Sequence, residues 1–204
     1  MTLPTVYIID DDSAVRDALG VLAETAGYQV RTFAGAAEFL AARLITENAC
    51  IISDLRMPDM DGLELQGELA RRRVDLPMIM ITAHGDVASA VSALRGGAID
   101  FLEKPFDDSV FLQRIEEALT RHAAHRAREQ AALEAEQDLA QLTARERGVA
   151  ELMAEGLTNK MIALKLDIGV RTVETHRAHI FEKLEIKSVP QLTRLIDAAA
   201  RRNA

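Results

Sequence analysis

Five short apolar runs, TVYIID, QVRTF, ACIIS, PMIMIT and AIDFL, recur through the first half of the chain, each followed by a stretch with helical periodicity. Runs this short, rich in branched and aromatic residues and bounded by turn or helix signals, read as β-strands. The stretches between them carry helix ends. Ser13 to Ala26 sets Val15, Leu19 and Leu22 on one face and stops at Gly27, a residue suited to the left-handed position after a helix. Asp61 and Glu64 have the spacing of a capping box, and Gly96-Gly97 closes the next helix. Strand and helix alternating in this way require right-handed crossovers, which place helices on both faces of a parallel sheet. A doubly wound five-stranded α/β domain is expected.

The fifth helix begins near Asp108 and runs on. From Ala123 to Gln141 there is no Gly or Pro, and Ala, Glu, Gln and Arg dominate, so a helical linker is expected. Its would-be seam, Leu119, His122, Arg126, Glu129, Leu133 and Glu136, is too polar for a coiled coil, which leaves an exposed helical spacer. Residues 142–204 have no strand pattern and four helix starts. Thr143 with Glu146 and Ser188 with Gln191 are capping-box pairs, and Thr158 follows the Gly156 stop. The turn Asp167-Ile168-Gly169 separates NKMIALKL from VRTVETHRAHIFEKL, the pattern of a helix-turn-helix. The expected core of this all-α four-helix domain comprises Val149, Leu152, Met153, Ile162, Ala163, Leu166, Val173, Ile180, Leu184, Leu192 and Ile196. The division predicted is 1–122, a linker over 123–141, and 142–204.

At 204 residues and 49% hydrophobic content, the chain has apolar material for two small cores and is not a disordered tail. No window approaches the roughly 18 apolar residues of a membrane span. The start MTLPTVYIID lacks a secretory signal pattern, so a cytoplasmic protein with no membrane role is expected. The lone Cys50 excludes disulfide frameworks and thiolate zinc clusters and reads as a buried small hydrophobe. The net charge of −8 argues against nucleic-acid binding only on average: residues 1–124 carry −9, whereas residues 141–204 carry +3. An acidic front and a basic back suit a cation-binding or signalling module joined to one that approaches an anion.

Functional groups in an open α/β sheet collect at the carboxyl ends of its strands. Here those ends carry Asp10, Asp11 and Asp12, then Asp54, Thr82 and finally Lys104-Pro105. Any one such Asp is ordinarily a helix cap. Asp10, Asp11 and Asp54 together would repel one another unless a cation intervened. Oxygen ligands without His or Cys select magnesium. Three carboxylates, one Mg²⁺ and the Lys104 ammonium sum to zero charge, which tolerates an arriving phosphoryl group. Asp54 could then act as nucleophile and become an acyl phosphate, with Lys104 and Thr82 holding the oxygens. Thr82 would be drawn toward the added charge, and Phe101 would turn into the space vacated.

The segments IIDDD, SDLRMPDMDG, TAHGD and EKPF stand where receiver domains of two-component response regulators have their signature, and residues 1–124 resemble that family. With TARERGVAELMAEGLTNKMIALKLDIGVRTVETHRAHIFEKL, the whole chain resembles the FixJ/NarL type, whose output is a LuxR-like helix-turn-helix. The resemblance implies a flavodoxin-like receiver in which Asp54 accepts phosphate from a sensor histidine kinase. It implies Mg²⁺ bound by Asp10, Asp11, Asp54 and the Arg56 backbone carbonyl, and a switch relayed by Thr82, Lys104 and Phe101. By the same resemblance, Arg56 and His84 occupy positions that in such receivers tune autodephosphorylation; read alone they are solvated loop residues. The resemblance implies a phosphorylation-dependent transcriptional regulator that is not an enzyme, its receiver catalysing only its own phosphoryl transfer and dephosphorylation.

The second helix of a helix-turn-helix reads the major groove, and here it should run from about Arg171 to Leu184. Val173, Ile180 and Leu184 face inward. Arg177 can reach guanine or phosphate, Glu174 cytosine, and Thr175 a thymine methyl, with Thr172 beside them. Lys160, Lys165, Arg171, Lys183 and Lys187 suit phosphates, and His176 is either a phosphate contact or a packing residue. Many family members have a cap-plus-proline pair where this chain has Gly169-Val170, so the helix start is open by a residue or two. Because a +3 module makes few phosphate contacts, promoter DNA binding should need a homodimer. The expected dimer face is Val91, Leu94, Arg95 and Asp100, formed on phosphorylation; release of a receiver contact on the recognition helix is the alternative. RNA polymerase is a further candidate partner. Competing functions are a DNA-binding regulator with a phosphorylation-independent receiver, and a magnesium-dependent phosphohydrolase, which lacks an acid–base Asp where Arg56 stands.

Overall fold

In the computed structural model, the five apolar runs form five parallel strands: β1 (Thr5–Ile9), β2 (Gln29–Phe33), β3 (Ala49–Asp54), β4 (Met78–Thr82) and β5 (Asp100–Glu103). Their spatial order is β2-β1-β3-β4-β5, so strand order reverses between β1 and β3. The structure describes residues 3–43, 48–83 and 87–200. Every residue of β1, β3 and β4 is buried, as befits strands covered on both faces. Alternation divides them between two cores. Tyr7, Ile9, Ile51 and Met80 face one way with Phe39, Leu65 and Leu69; Val6, Ile8, Ile52 and Ile81 face the other with Leu19, Phe111 and Ile115.

The helices supplying those partners are α1 (Ser13–Thr25), α2 (Ala36–Ala41), α3 (Gly62–Arg71), α4 (Val87–Arg95) and α5 (Asp108–Ala140). The Asp61–Glu64 capping box at the head of α3 is present with both hydrogen bonds. The fifth strand begins two residues later than the run AIDFL suggests. The reason is local: the Ala98 amide donates back to Ala93 O at 3.0 Å, closing α4, and pairing starts only after that turn. Cys50 is fully buried, and burial pushes its thiol up to about 12.

The chain divides into two compact units, Met1–Ala124 and His125–Ala204, with the boundary inside α5. The second unit holds α6 (Ala144–Ala154), α7 (Asn159–Leu166), α8 (Val170–Lys183) and α9 (Val189–Ala200). All eleven residues expected in its core lie in or against one cluster, but Ala135 and Leu139 join it too. The last turns of the segment read as an exposed spacer therefore pack, because small and branched side chains four residues apart form an apolar stripe on an otherwise charged helix. Earlier on α5, Leu119 and His122 are buried within the first unit.

The helix-turn-helix is α7 and α8. Asp167 ends α7 in the left-handed region at φ 53°, a conformation Asp tolerates. Gly169 caps α8 without a side-chain hydrogen bond, so α8 begins one residue before Arg171. No helix among the described residues is long and apolar enough to cross a membrane.

Candidate functional site

Asp10 follows β1 directly and Asp54 ends β3, its neighbour in the sheet. The reversal of strand order thus sets two carboxylates side by side at one edge. Lys104, just after β5, reaches both: its Nζ donates to Asp10 Oδ2 at 2.8 Å and to Asp54 Oδ1 at 2.9 Å. The remaining oxygens accept backbone amides, Asp10 Oδ1 from Asp12 at 2.9 Å and Asp54 Oδ2 from Arg56 at 2.7 Å. Asp10 is 1% exposed and Asp54 7%. Burial pushes the Asp10 carboxyl up, outweighing the Lys104 contact. The same burial opposes charge on Lys104, but its hydrogen bonds and attraction to Asp10 and Asp54 win and hold the ammonium above its ordinary value. Lys104 is therefore a permanent cation between two acids.

The three consecutive aspartates meet three fates. Asp10 enters the buried triad, Asp11 is exposed, and Asp12 caps α1, accepting from Ala14 N at 2.9 Å and Val15 N at 3.3 Å. The ordinary capping role is thus right for one of them. Among the described residues no three acidic, His or Cys side chains form a metal cage; Asp11 is exposed and not gathered with Asp10 and Asp54, the pair that Lys104 bridges. Thr82 is buried at the end of β4, and its carbonyl accepts Lys104 N at 2.8 Å. Phe101 is half-buried on β5 opposite Met80. Arg56 is exposed beside the triad, and His84 lies outside the described residues. Val91 and Leu94 are exposed on α4, as is Arg95, whereas Asp100 is paired with Arg114 at 2.9 Å.

Sequence reading missed Arg16. Its guanidinium, projecting from α1, donates to the Asp10 carbonyl at 2.6 Å and steadies the loop that aims the Asp10 carboxylate. A basic residue one helical turn after an N-cap was the available signal. The assembled groups suit one chemistry. A buried, hydrogen-bonded carboxylate beside a fixed cation can meet a phosphoryl group whose oxygens Lys104 can hold, since such transfers demand positioning and charge stabilisation more than covalent help. The donor set of Asp10 and Asp54 carboxylates and main-chain carbonyls is all oxygen, which fits a hard cation.

In the second unit α8 presents Arg171, Thr172, Glu174 and Thr175 to solvent, with Lys160 exposed on α7. Arg177 is half-buried, its guanidinium 5.9 Å from the Phe181 ring centre. His176 is half-buried with an unbonded inner Nδ1, which places it nearer to packing than to a phosphate contact. Lys183 differs most from expectation: its ammonium is 2.6 Å from the buried Glu146 carboxylate, with His179 3.8 Å from the other oxygen. Glu146 also closes the Thr143 capping box. The Lys183 hydrogen bond, followed by that to the Thr143 amide, pulls its carboxyl down to about 2. Stability from this lowered carboxyl is complete above the usual 4.5 and is lost as pH falls toward about 2. Acid titration followed by circular dichroism should show the second unit losing stability across that window. The Glu146→Gln protein should be less stable at neutral pH and show a flatter loss in acid.

Comparison with known proteins agrees with both halves. Residues 6–116 match the response regulator receiver domain, and residues 140–196 match the bacterial regulatory proteins of the LuxR family. The transcriptional regulatory protein FixJ of Azorhizobium caulinodans is 44% identical over 190 residues, covering 93% of this chain and 90% of that protein. FixJ of Rhizobium meliloti is 43% identical over 195 residues, 96% of each chain. Among solved structures, that of the response regulator StyR has a TM-score of 0.78 at 41% identity, covering 96% of this chain and 99% of that one. Full-length FixJ from B. japonicum has a TM-score of 0.61 at 38% identity, covering 98% and 99%. With a receiver fold, its strand-end triad and a LuxR-type helix-turn-helix in one polypeptide, this chain belongs to the FixJ-like response regulators.

Proposed function

We propose that this protein is a phosphorylation-switched transcriptional regulator whose phosphoacceptor is Asp54. The observation that carries the reading is the shared Lys104 ammonium, 2.8 Å from Asp10 and 2.9 Å from Asp54. A sensor histidine kinase supplies the phosphoryl group, which forms an acyl phosphate on the Asp54 carboxylate. Asp10, Asp54, the Arg56 carbonyl and, after a side-chain movement, Asp11 would hold Mg²⁺, which supplies charge neutralisation for the phosphoryl oxygens when bound. Lys104 keeps its charge and transfers its contact from the carboxylate to a phosphoryl oxygen; Thr82 donates from β4, and Phe101 follows. Arg56, exposed beside the triad, and His84 tune hydrolysis of the acyl phosphate.

The division that goes with this reading is a receiver over 1–122, a helical linker over 123–141 and a DNA-binding domain over 142–204, with the last linker turns packed on the latter's core. Phosphorylation favours a homodimer through Val91, Leu94, Arg95 and Asp100, and the dimer binds promoter DNA in the cytoplasm, where RNA polymerase is a further partner. Gel shifts against genomic fragments, with Mg²⁺ and with or without acetyl phosphate, test this. Stronger binding with the donor is expected; equal binding would favour a receiver that does not control the output.

Base contacts fall to Thr172, Glu174, Thr175 and Arg177, and phosphate contacts to Lys160 and Arg171, while the half-buried His176 packs. Lys183 serves as a strut from α8 to Glu146 in place of the phosphate contact expected of it. Each phosphate contact contributes about 0.9 to the slope of log affinity against log salt. Arg171→Ala should lower that slope by about this amount per bound subunit, whereas Lys183→Met should weaken binding with the slope unchanged, as read from titrations at several salt concentrations.

A further inference from the structure

The polar side chain of Gln66 is buried in the first unit, on α3. Its Nε2 donates to the carbonyl of Ala93 in α4 at 3.0 Å. That carbonyl also accepts the Ala98 amide at 3.0 Å, so both of its lone pairs are used and the end of α4 is closed. Gly96, just past α4, approaches so closely that a Cβ there would lie 2.5 Å from Gln66 Oε1. A helix end, a buried amide and a residue without a side chain thus fit one another. One turn earlier α3 rests on the phosphoacceptor strand itself. The Gly62 amide donates to Leu55 O at 3.0 Å, and a Cβ at Gly62 would lie 2.7 Å from Asp54 O. From Gly62 to Gln66 the helix rises only about 6 Å.

We propose that Gln66 is a positioning residue that pins the C-terminal end of α4 to α3, and through α3 to the backbone of Asp54. Resting on the reading of Asp54 as phosphoacceptor, it adds a second link between that residue and α4. The N-terminal end of α4 follows Thr82 by five residues of chain; in this inference a displacement of Thr82 acts on that end while Gln66 holds the other. A helix pulled at one end and held at the other turns; one held at neither slides with its neighbours. Turning re-aims Val91 and Leu94, which lie between the two ends and are exposed. Packed side chains and hydrogen bonds of this kind are the physical carriers of coupling between sites.

The test uses the full-length protein with Mg²⁺ and acetyl phosphate, comparing wild type with Gln66→Leu and Gly96→Ala. Gln66→Leu removes the donor. Gly96→Ala leaves the glutamine in the sequence but displaces its amide, so it keeps the inference testable should the first variant fold poorly. Labile phosphate at Asp54 is followed by mass spectrometry, dimer formation by sedimentation, and folding by thermal unfolding. Both variants are expected to fold and incorporate phosphate as wild type does, while the phosphate-induced gain in dimer affinity falls about tenfold, the size of a modest coupling energy. Gains within twofold of wild type would overturn the role of Gln66. So would equal weakening of the unphosphorylated and phosphorylated dimers, which signals a purely structural defect. If wild type itself takes up no phosphate, the reading of Asp54 fails first and this inference falls with it, a result distinct from the other two.

Discussion

Asp54→Ala is expected to abolish the response to phosphodonor while leaving the fold intact. In the proposed switch, phosphorylation of Asp54 replaces the single negative charge of its carboxylate with the roughly −1.5 to −2 of a phosphoryl group, at a site 7% exposed. Solvent has little access to such a group, so in that switch Lys104 and Thr82 are expected to reorganise around it. Coupling between such a site and a distant one is worth about 1–3 kcal/mol, or about 5–150-fold in affinity. Operator binding by the wild type should rise within that range on treatment with acetyl phosphate and Mg²⁺; the variant should show no rise. Its fold should survive because Asp54 lies at a strand end and Lys104 retains Asp10 at 2.8 Å. A variant that still responded in the gel shift would place the phosphoacceptor elsewhere and end the account of the triad.

The second large effect lies in the other unit. Ile180 is fully buried on α8, within a core that also holds Val149, Ile162, Val173 and Leu192. Ile180→Ala should cost about 2–5 kcal/mol. A core of this size rarely supplies more than about 3–5 kcal/mol, so most molecules should lose the recognition helix at 25 °C. DNA binding should then disappear in gel shifts. Phosphate incorporation at Asp54 should persist, because the receiver core contains none of these residues. Loss of both activities together would show that the two units do not fold separately. The pair of variants therefore dissects the protein from both ends: one keeps the reading head and loses the switch, the other the reverse.

Much of this was legible in the chain. Strand runs and helix caps at Asp61, Thr143 and Thr158 depend on neighbours three or four residues away, and such local chemistry is written directly in sequence. The strand-end residues Asp10, Asp54, Thr82 and Lys104 were likewise identifiable, because a parallel sheet has only one edge where they can meet. The limits show at particular residues. DDD reads as three equal acids, yet Asp10 is buried, Asp11 exposed and Asp12 a cap, since each successive side chain leaves the strand in a different direction. Lys183 reads as a phosphate contact until Glu146, 37 residues away, is seen to hold it.

The sequence by itself determined the two kinds of module, their order and the sheet edge where Asp10, Asp54 and Lys104 meet, since periodicity, capping and strand-end chemistry act over a few residues. Only the tertiary structure decided which charges are engaged and which remain available. Lys104 bridges Asp10 and Asp54 across 94 and 50 residues, and Gln66 reaches Ala93 across 27. Such pairings depend on how elements stack in space, and the free energy of a charged or amide side chain depends on the burial that stacking creates.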